Sequence, residues 1–235
     1  MKLYQLAICC FFLATSTLSA QQFLRPFDGI SRGKTSYITL EDGTEMEGLV
    51  KKLKRKKGLI KEITIQVEGG DKQTIAIEKI KHAYLPQSGF DKLNQTSDFL
   101  YDIPQWDRGM HDQERLKDGY AFFEKAEVQV KKKKMILLMQ LLNPGVCSRL
   151  KVYHDPFAAE TASLGVGAFT MVGGEDKSFY VQKDGGLTVK VAKKKYRNAF
   201  SDLFTDCGVV KGKYKDASWK QFEETVFTYN TECTK

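Results

Sequence analysis

The sequence predicts a mainly β protein with C-terminal helices, an α+β chain in which a small barrel-like β domain precedes a larger antiparallel β domain and two helices. Two observations carry that expectation. Short alternating runs rich in Ile, Val, Tyr and Phe recur from Ser36 to Val191, separated by tight glycine-containing turns. After Tyr196 the apolar spacing changes to three and four, the period of a helix.

Residues 1–20 read as a signal peptide. Met1-Lys2 supplies the short basic start, Leu3 to Leu13 the apolar stretch, and Ala20 followed by Gln21 the small-residue cleavage point. An uncleaved anchor would need about 20 apolar residues, and this run is about half that. The mature chain therefore begins near Gln21. The next longest apolar run, Met135 to Leu142, is far too short to span a bilayer and reads as a buried, central strand.

Gln21 to Gly33 has no period and is expected to be a lead-in. The small β domain covers 34–86. Ser36 to Leu40 alternates, Asp42-Gly43 turns the chain, and Met46 to Leu53 returns. Asp-Gly suits such a turn because glycine accepts positive φ without a Cβ clash. Leu59 to Val67, Thr74 to Ile77 and Glu78 to Leu85 complete this set before Pro86.

Residues 87–118 are expected to be a connector with a short helix near Asp91 to Tyr101. The aromatics around it (Tyr101, Trp106, Tyr120, Phe122 and Phe123) read as an interface core, with a ligand groove as the alternative. The second β domain, with its helical pair, covers 119–235. Its strands are Tyr120 to Phe123, Ala126 to Val130, Met135 to Leu142, Ser148 to Tyr153, Gly165 to Val172, Ser178 to Gln182 and Leu187 to Val191.

Tyr196, Phe200, Leu203 and Cys207 then mark one helix, with Gly208 as its expected C-cap. Ser218-x-x-Gln221 has the capping-box pattern, and Trp219, Phe222, Val226, Tyr229 and Cys233 mark the second helix.

The stretch Leu40-x-Asp42-Gly43-x-x-x-x-Gly48 resembles the hairpin of Sm-like proteins, over about 50 residues. That resemblance implies a small curved barrel. Its RNA-binding role is discounted for an exported chain, and nucleic acid is not expected as a partner.

The chain carries a formal charge of +8, and removal of Lys2 with the signal peptide leaves 36 basic and 29 acidic residues, or +7. Basic residues bunch at 51–57, 131–134 and 193–195. Each run sits beside a strand, where edge lysines discourage sheet aggregation. The alternative is a face for anionic lipids or glycans.

Three cysteines, Cys147, Cys207 and Cys233, follow the signal peptide. In an oxidising compartment one pair is expected, and Cys207–Cys233 is the candidate because both lie on apolar stripes. Both also end their helices, so a simple antiparallel hairpin would hold them about 20 Å apart. The residues from Gly208 to Ala217 must bring the chain back. Cys147 is then expected to be buried.

Chemistry-bearing patterns are few. His82, His111 and His154 form no His-Glu-x-x-His or His-x-His spacing and no Cys-x-x-Cys accompanies them, so no metal or cofactor is expected. There is no nucleophile elbow, P-loop or dinucleotide fingerprint. His154 and Asp155 with Glu160 form the one polar constellation that could serve an acid–base or metal-dependent hydrolase. The competing reading is a turn at Asp155-Pro156 beside a strand-end histidine.

Three stretches also resemble a family of exported proteins of Bacteroidetes bacteria: Ser19-Ala20-Gln21-Gln22, the segments Leu141 to Gly145 and Val152 to Phe157, and Tyr229-Asn230-Thr-Glu-Cys233. The resemblance spans nearly the whole chain and implies a Gram-negative periplasmic, secreted or cell-surface protein, without implying an activity. The expected function is a non-enzymatic binding or structural module, its partner an envelope protein or an anionic surface. An enzyme built on His154 and Asp155 is the alternative.

Overall fold

Hairpins build most of the molecule. The computed structural model describes residues 23–27, 29–88, 111–157 and 178–233. The signal peptide with Ala20 and Gln21, the helix expected at 91–101, Tyr101, Trp106, Glu160 and the strand expected at 165–172 lie outside the described residues.

Strands β1 (Ser36–Leu40), β2 (Glu45–Lys56), β3 (Leu59–Val67), β4 (Lys72–Ala76) and β5 (Ile80–Pro86) occupy the first half. A single 3-10 turn, Ile77–Lys79, joins the last two. Strands β6 (Tyr120–Val130) and β7 (Lys133–Gln140) follow a short helix α1 (Gln113–Lys117). All seven strands form one antiparallel sheet in the order β4-β3-β2-β1-β5-β6-β7. The pairing of β5 with β6 carries the sheet straight across residues 87–118.

The sheet is curled. Register shifts between Val50 and Lys52 and between Lys54 and Arg55 place bulges in β2, and bulges bend a strand. Gly48 permits the curl locally: a Cβ there would lie 2.2 Å from the Gln66 carbonyl oxygen. The inner face closes on Ile38, Ile63, Ile65, Ile80, Leu85, Phe123 and Leu138, bringing β3 against β7.

Three further strands, β8 (Leu150–His154), β9 (Ser178–Lys183) and β10 (Val189–Ala192), form a small antiparallel sheet in the order β10-β9-β8. Its alternation gives it two buried faces. Tyr153 and Tyr180 meet the outer face of the large sheet through Phe122, Val128 and Met139. Val152, Phe179, Val181 and Val191 face the other way, under helices α2 (Tyr196–Phe204), α3 (Gly208–Lys213) and α4 (Phe222–Glu232). The result is three layers: curled sheet, small sheet, helices.

The mainly β fold with its C-terminal helices is as expected, and several details differ. The strands expected at 120–123 and 126–130 are one continuous strand. Met135 to Leu142 is not central: β7 ends the strand order, and its apolar run reflects Leu137 and Leu138 entering cores on opposite faces.

Gly208 does not close α2. It opens α3, and Cys207 is the N-cap whose sulfur accepts from the Val210 N–H. The 218–221 capping box does not form either; Ser218 opens a 3-10 turn without a side-chain cap. The lead-in is ordered where described, with Phe23, Leu24 and Phe27 buried. Of the connector aromatics that are described, Phe122 and Phe123 are core residues on opposite faces of β6.

Candidate functional site

The His154–Asp155 pair ends β8. Asp155 is fully buried, and its carboxylate is committed: Oδ1 accepts from the Phe157 N–H at 3.0 Å, and Oδ2 accepts from Ser178 Oγ at 2.7 Å. Lys190 Nζ lies 2.6 Å from the same Oδ2. These contacts tie the exit of β8 to β9 and β10, and make the turn at Pro156. Burial, with the Asp155 charge behind it, pushes the Tyr180 phenol up to about 12.

His154 is partly buried, and desolvation pushes its pKa down to about 4, Asp155 opposing and Arg55 reinforcing. It is therefore neutral at physiological pH, well away from the pKa that suits a general acid or base there. Glu160, the third member of the expected constellation, lies outside the described residues.

Cys207 and Cys233 form a disulfide, with Cα atoms 5.7 Å apart. The short helix α3 supplies the return that a plain helical hairpin would lack. Cys147 is buried, with Sγ 3.5 Å from His111 Nε2 and 3.7 Å from the Pro144 carbonyl oxygen. The histidine that approaches Cys147 is thus His111 rather than the sequence neighbour His154, and its ring lies 4.3 Å from that of Phe122.

Two polar clusters were not foreseen. Glu124, on the outer face of β6, accepts from Lys151 Nζ at 2.8 and 2.9 Å and from Tyr153 Oη at 2.8 Å. Burial, and then the Glu124 charge, push the Tyr153 phenol far up, so it stays a neutral donor.

Arg149 forms the second cluster. It grips Asp184 with two nitrogens at 3.0 and 2.8 Å, reaches Asp206 at 2.7 Å and the Cys233 carbonyl at 2.9 Å, and lies over the Tyr229 ring at 4.6 Å. Against burial, hydrogen bonds from Lys183, Arg149 and Tyr229 hold the Asp206 carboxyl well below the usual range. The sequence signal for both was weak: Glu124 is one of three charges in its strand, and Arg149 stands just before another strand. Neither reveals its partners.

Residues 143–150 are organised by two asparagines. Asn143 donates to the carbonyls of Val146 and Leu150 and accepts from the Val152 N–H. Asn230 on α4 accepts from the Arg149 and Leu150 N–H groups and donates to the carbonyls of Val146, Leu150 and Val226. Between them the two asparagines tie residues 143–152 to α4.

The lysine runs are brought together in part. Val128 and Thr188 form a parallel bridge, with Gln129 N donating to the Thr188 carbonyl at 2.8 Å and Thr188 N donating to the Glu127 carbonyl at 3.0 Å. Beyond it, β6 runs into 131–134 and β10 into 193–195, in the same direction. The β2–β3 tip lies against Pro156, whose carbonyl oxygen is 2.0 Å from where a Cβ on Gly58 would sit.

Among the described residues, no group of three or more His, Cys, Asp and Glu side chains is arranged to hold a metal ion. No described helix is long and apolar enough to cross a membrane. Comparison with protein-family models, curated proteins and solved structures finds no match for the chain.

Proposed function

We propose that this is an exported protein of a Gram-negative envelope or secreted space, and that it acts as a binding or structural module without catalysis. The Cys207–Cys233 disulfide carries this reading, because such bonds persist in oxidising compartments and are rare in reducing ones. The signal-peptide pattern of residues 1–20 supports the same compartment. The non-catalytic part draws on the polar clusters. Asp155, Glu124 and Asp206 each hold two or more partners from other elements, leaving their acceptor oxygens engaged in holding layers together.

The test is fractionation of a Gram-negative host expressing the full chain, with the mature N-terminus sequenced and mobility compared with and without reductant. The expected result is a start at Gln21, recovery outside the cytoplasm, and a mobility shift on reduction. A full-length cytoplasmic product with Cys207 and Cys233 both reduced would overturn it. Affinity capture from the cell envelope then identifies the partner.

A further inference from the structure

We propose that the end of the molecule built by the β6–β7 hairpin, β10 and the turn after it is a docking surface for anionic phospholipid membranes. This rests on the exported reading only for the supply of membrane in the cell; the contact itself is a property of the folded chain.

Charge is the first observation. Lys131, Lys132 and Lys133 cap the β6–β7 hairpin and are all exposed, and Lys193, Lys194 and Lys195 are equally exposed beyond β10. The parallel bridge between Val128 and Thr188 fixes β6 and β10 side by side, about 4.8 Å apart, and both strands leave it in the same direction. The two runs therefore emerge from one end of the molecule. Among the described acidic groups, Glu127 faces Lys134 at 4.0 Å, and Asp155 pairs with Lys190.

Apolar exposure is the second, independent observation. Met135, Ile136 and Val189 are 36%, 46% and 39% exposed, three of the four large exposed apolar residues among those described. Strand register sorts them. Ile136 faces Glu127, and Val189 follows Thr188, whose partner Val128 points the other way. Ile136 and Val189 thus share one face of the β7-β6-β10 arrangement, with Met135 on the opposite side of the same edge strand. Lysines alone would protect that edge. Exposed Met135 and Ile136 do the reverse, presenting apolar surface inside the basic rim.

A bilayer surface matches both features. Lysines are drawn to an anionic leaflet, and apolar side chains enter the headgroup–acyl boundary. A second copy of this chain would bring like charges together, and a phosphate polymer offers no apolar layer for Ile136. The combination selects a lipid surface.

The experiment is co-sedimentation of the mature protein with vesicles of phosphatidylcholine alone or with about one-third phosphatidylglycerol. Binding to the anionic vesicles is expected to exceed binding to neutral ones at least tenfold at low salt, and to weaken steeply with added salt. Lys132→Glu/Lys133→Glu should bind more weakly by at least about 30-fold, the loss of two lysines alone, with repulsion of the new carboxylates added. The matched reversal Lys34→Glu/Lys72→Glu should bind as the parent. Those two lysines lie at the opposite end: Lys34 precedes β1, which runs parallel to β6, and Lys72 opens β4 beside the Ser36–Gly48–Val67 register.

Ile136→Ser should weaken binding without changing its salt dependence, and far-UV circular dichroism confirms that each variant is folded. Equal binding to neutral and anionic vesicles, equal loss in the two charge reversals, or self-association through β7 in place of vesicle binding would overturn the proposal. None of these results bears on where the cell places the protein, which fractionation reads separately.

Discussion

Gly48 and Asn230 show how much one side chain decides here. A methyl group on Gly48 would overlap the Gln66 carbonyl, which belongs to backbone and cannot rotate away. Gly48→Ala must therefore push β3 off β2, and should cost about 2 kcal/mol or more in urea unfolding. Asn230→Leu removes both acceptors and donors from residues 146–150 at once, leaving the buried Leu150 N–H without its acceptor. A loss of about 3 kcal/mol is expected by the same measurement.

His154 sets a pH response. Its pKa falls from 6.5 to about 4 on folding, chiefly through burial, so the unfolded chain binds the proton more readily. Its contribution is therefore full above about pH 6.5, declines as pH falls towards 4, and changes no further below that, at most about 3 kcal/mol in all. In His154→Asn that part of the acid slope should vanish. An unchanged slope would mean that carboxylates such as Asp206 account for it, since their stabilisation is lost as pH falls through a lowered pKa.

At the scale of elements, the disulfide and the Arg149 cluster act on the same place. Cys207 lies at the turn between α2 and α3, and Cys233 at the end of α4, so the bond closes a loop with a sequence separation of 26. In the chain-entropy model this stabilises the fold by about 3.5 kcal/mol. Cys207→Ser/Cys233→Ser should lose about that much, and reductant should destabilise the parent by a similar amount while leaving the variant unchanged. Arg149 holds the same corner from the small sheet, through Asp184, Asp206 and the Cys233 carbonyl. The helical period and both cysteines were legible beforehand. The placement of α3 was not, because Gly208 reads as a helix end whichever helix it bounds.

At the scale of the whole molecule, continuity of the large sheet decides behaviour. Residues on both sides of 87–118 share strand pairs, and Phe123 and Leu138 fill the same core as Ile38 and Ile63. Urea unfolding is therefore expected to be a single transition, with fluorescence and circular dichroism coincident. Two separated transitions would show that residues 34–86 and 119–235 unfold independently. The lysine runs belong to this scale too, since only the Val128–Thr188 bridge makes neighbours of residues some 60 positions apart.

By itself the sequence determined what depends on local chemistry. Alternation set the strands, glycine and aspartate marked the turn at Asp42-Gly43, and the change of period at Tyr196 marked the helices. It also singled out Cys207 and Cys233, because the apolar stripes that carry them are a local property. Tertiary structure alone decided which strands neighbour each other. That choice made β7 an edge, placed His111 rather than His154 beside Cys147, committed Asp155 to Ser178 and Lys190, and gathered two lysine runs around Ile136 and Val189. The physical reason is common to all of these. Hydrophobic burial specifies which side of a strand faces inward, whereas the identity of the neighbour depends on how distant faces fit, and no single stretch of chain contains that information.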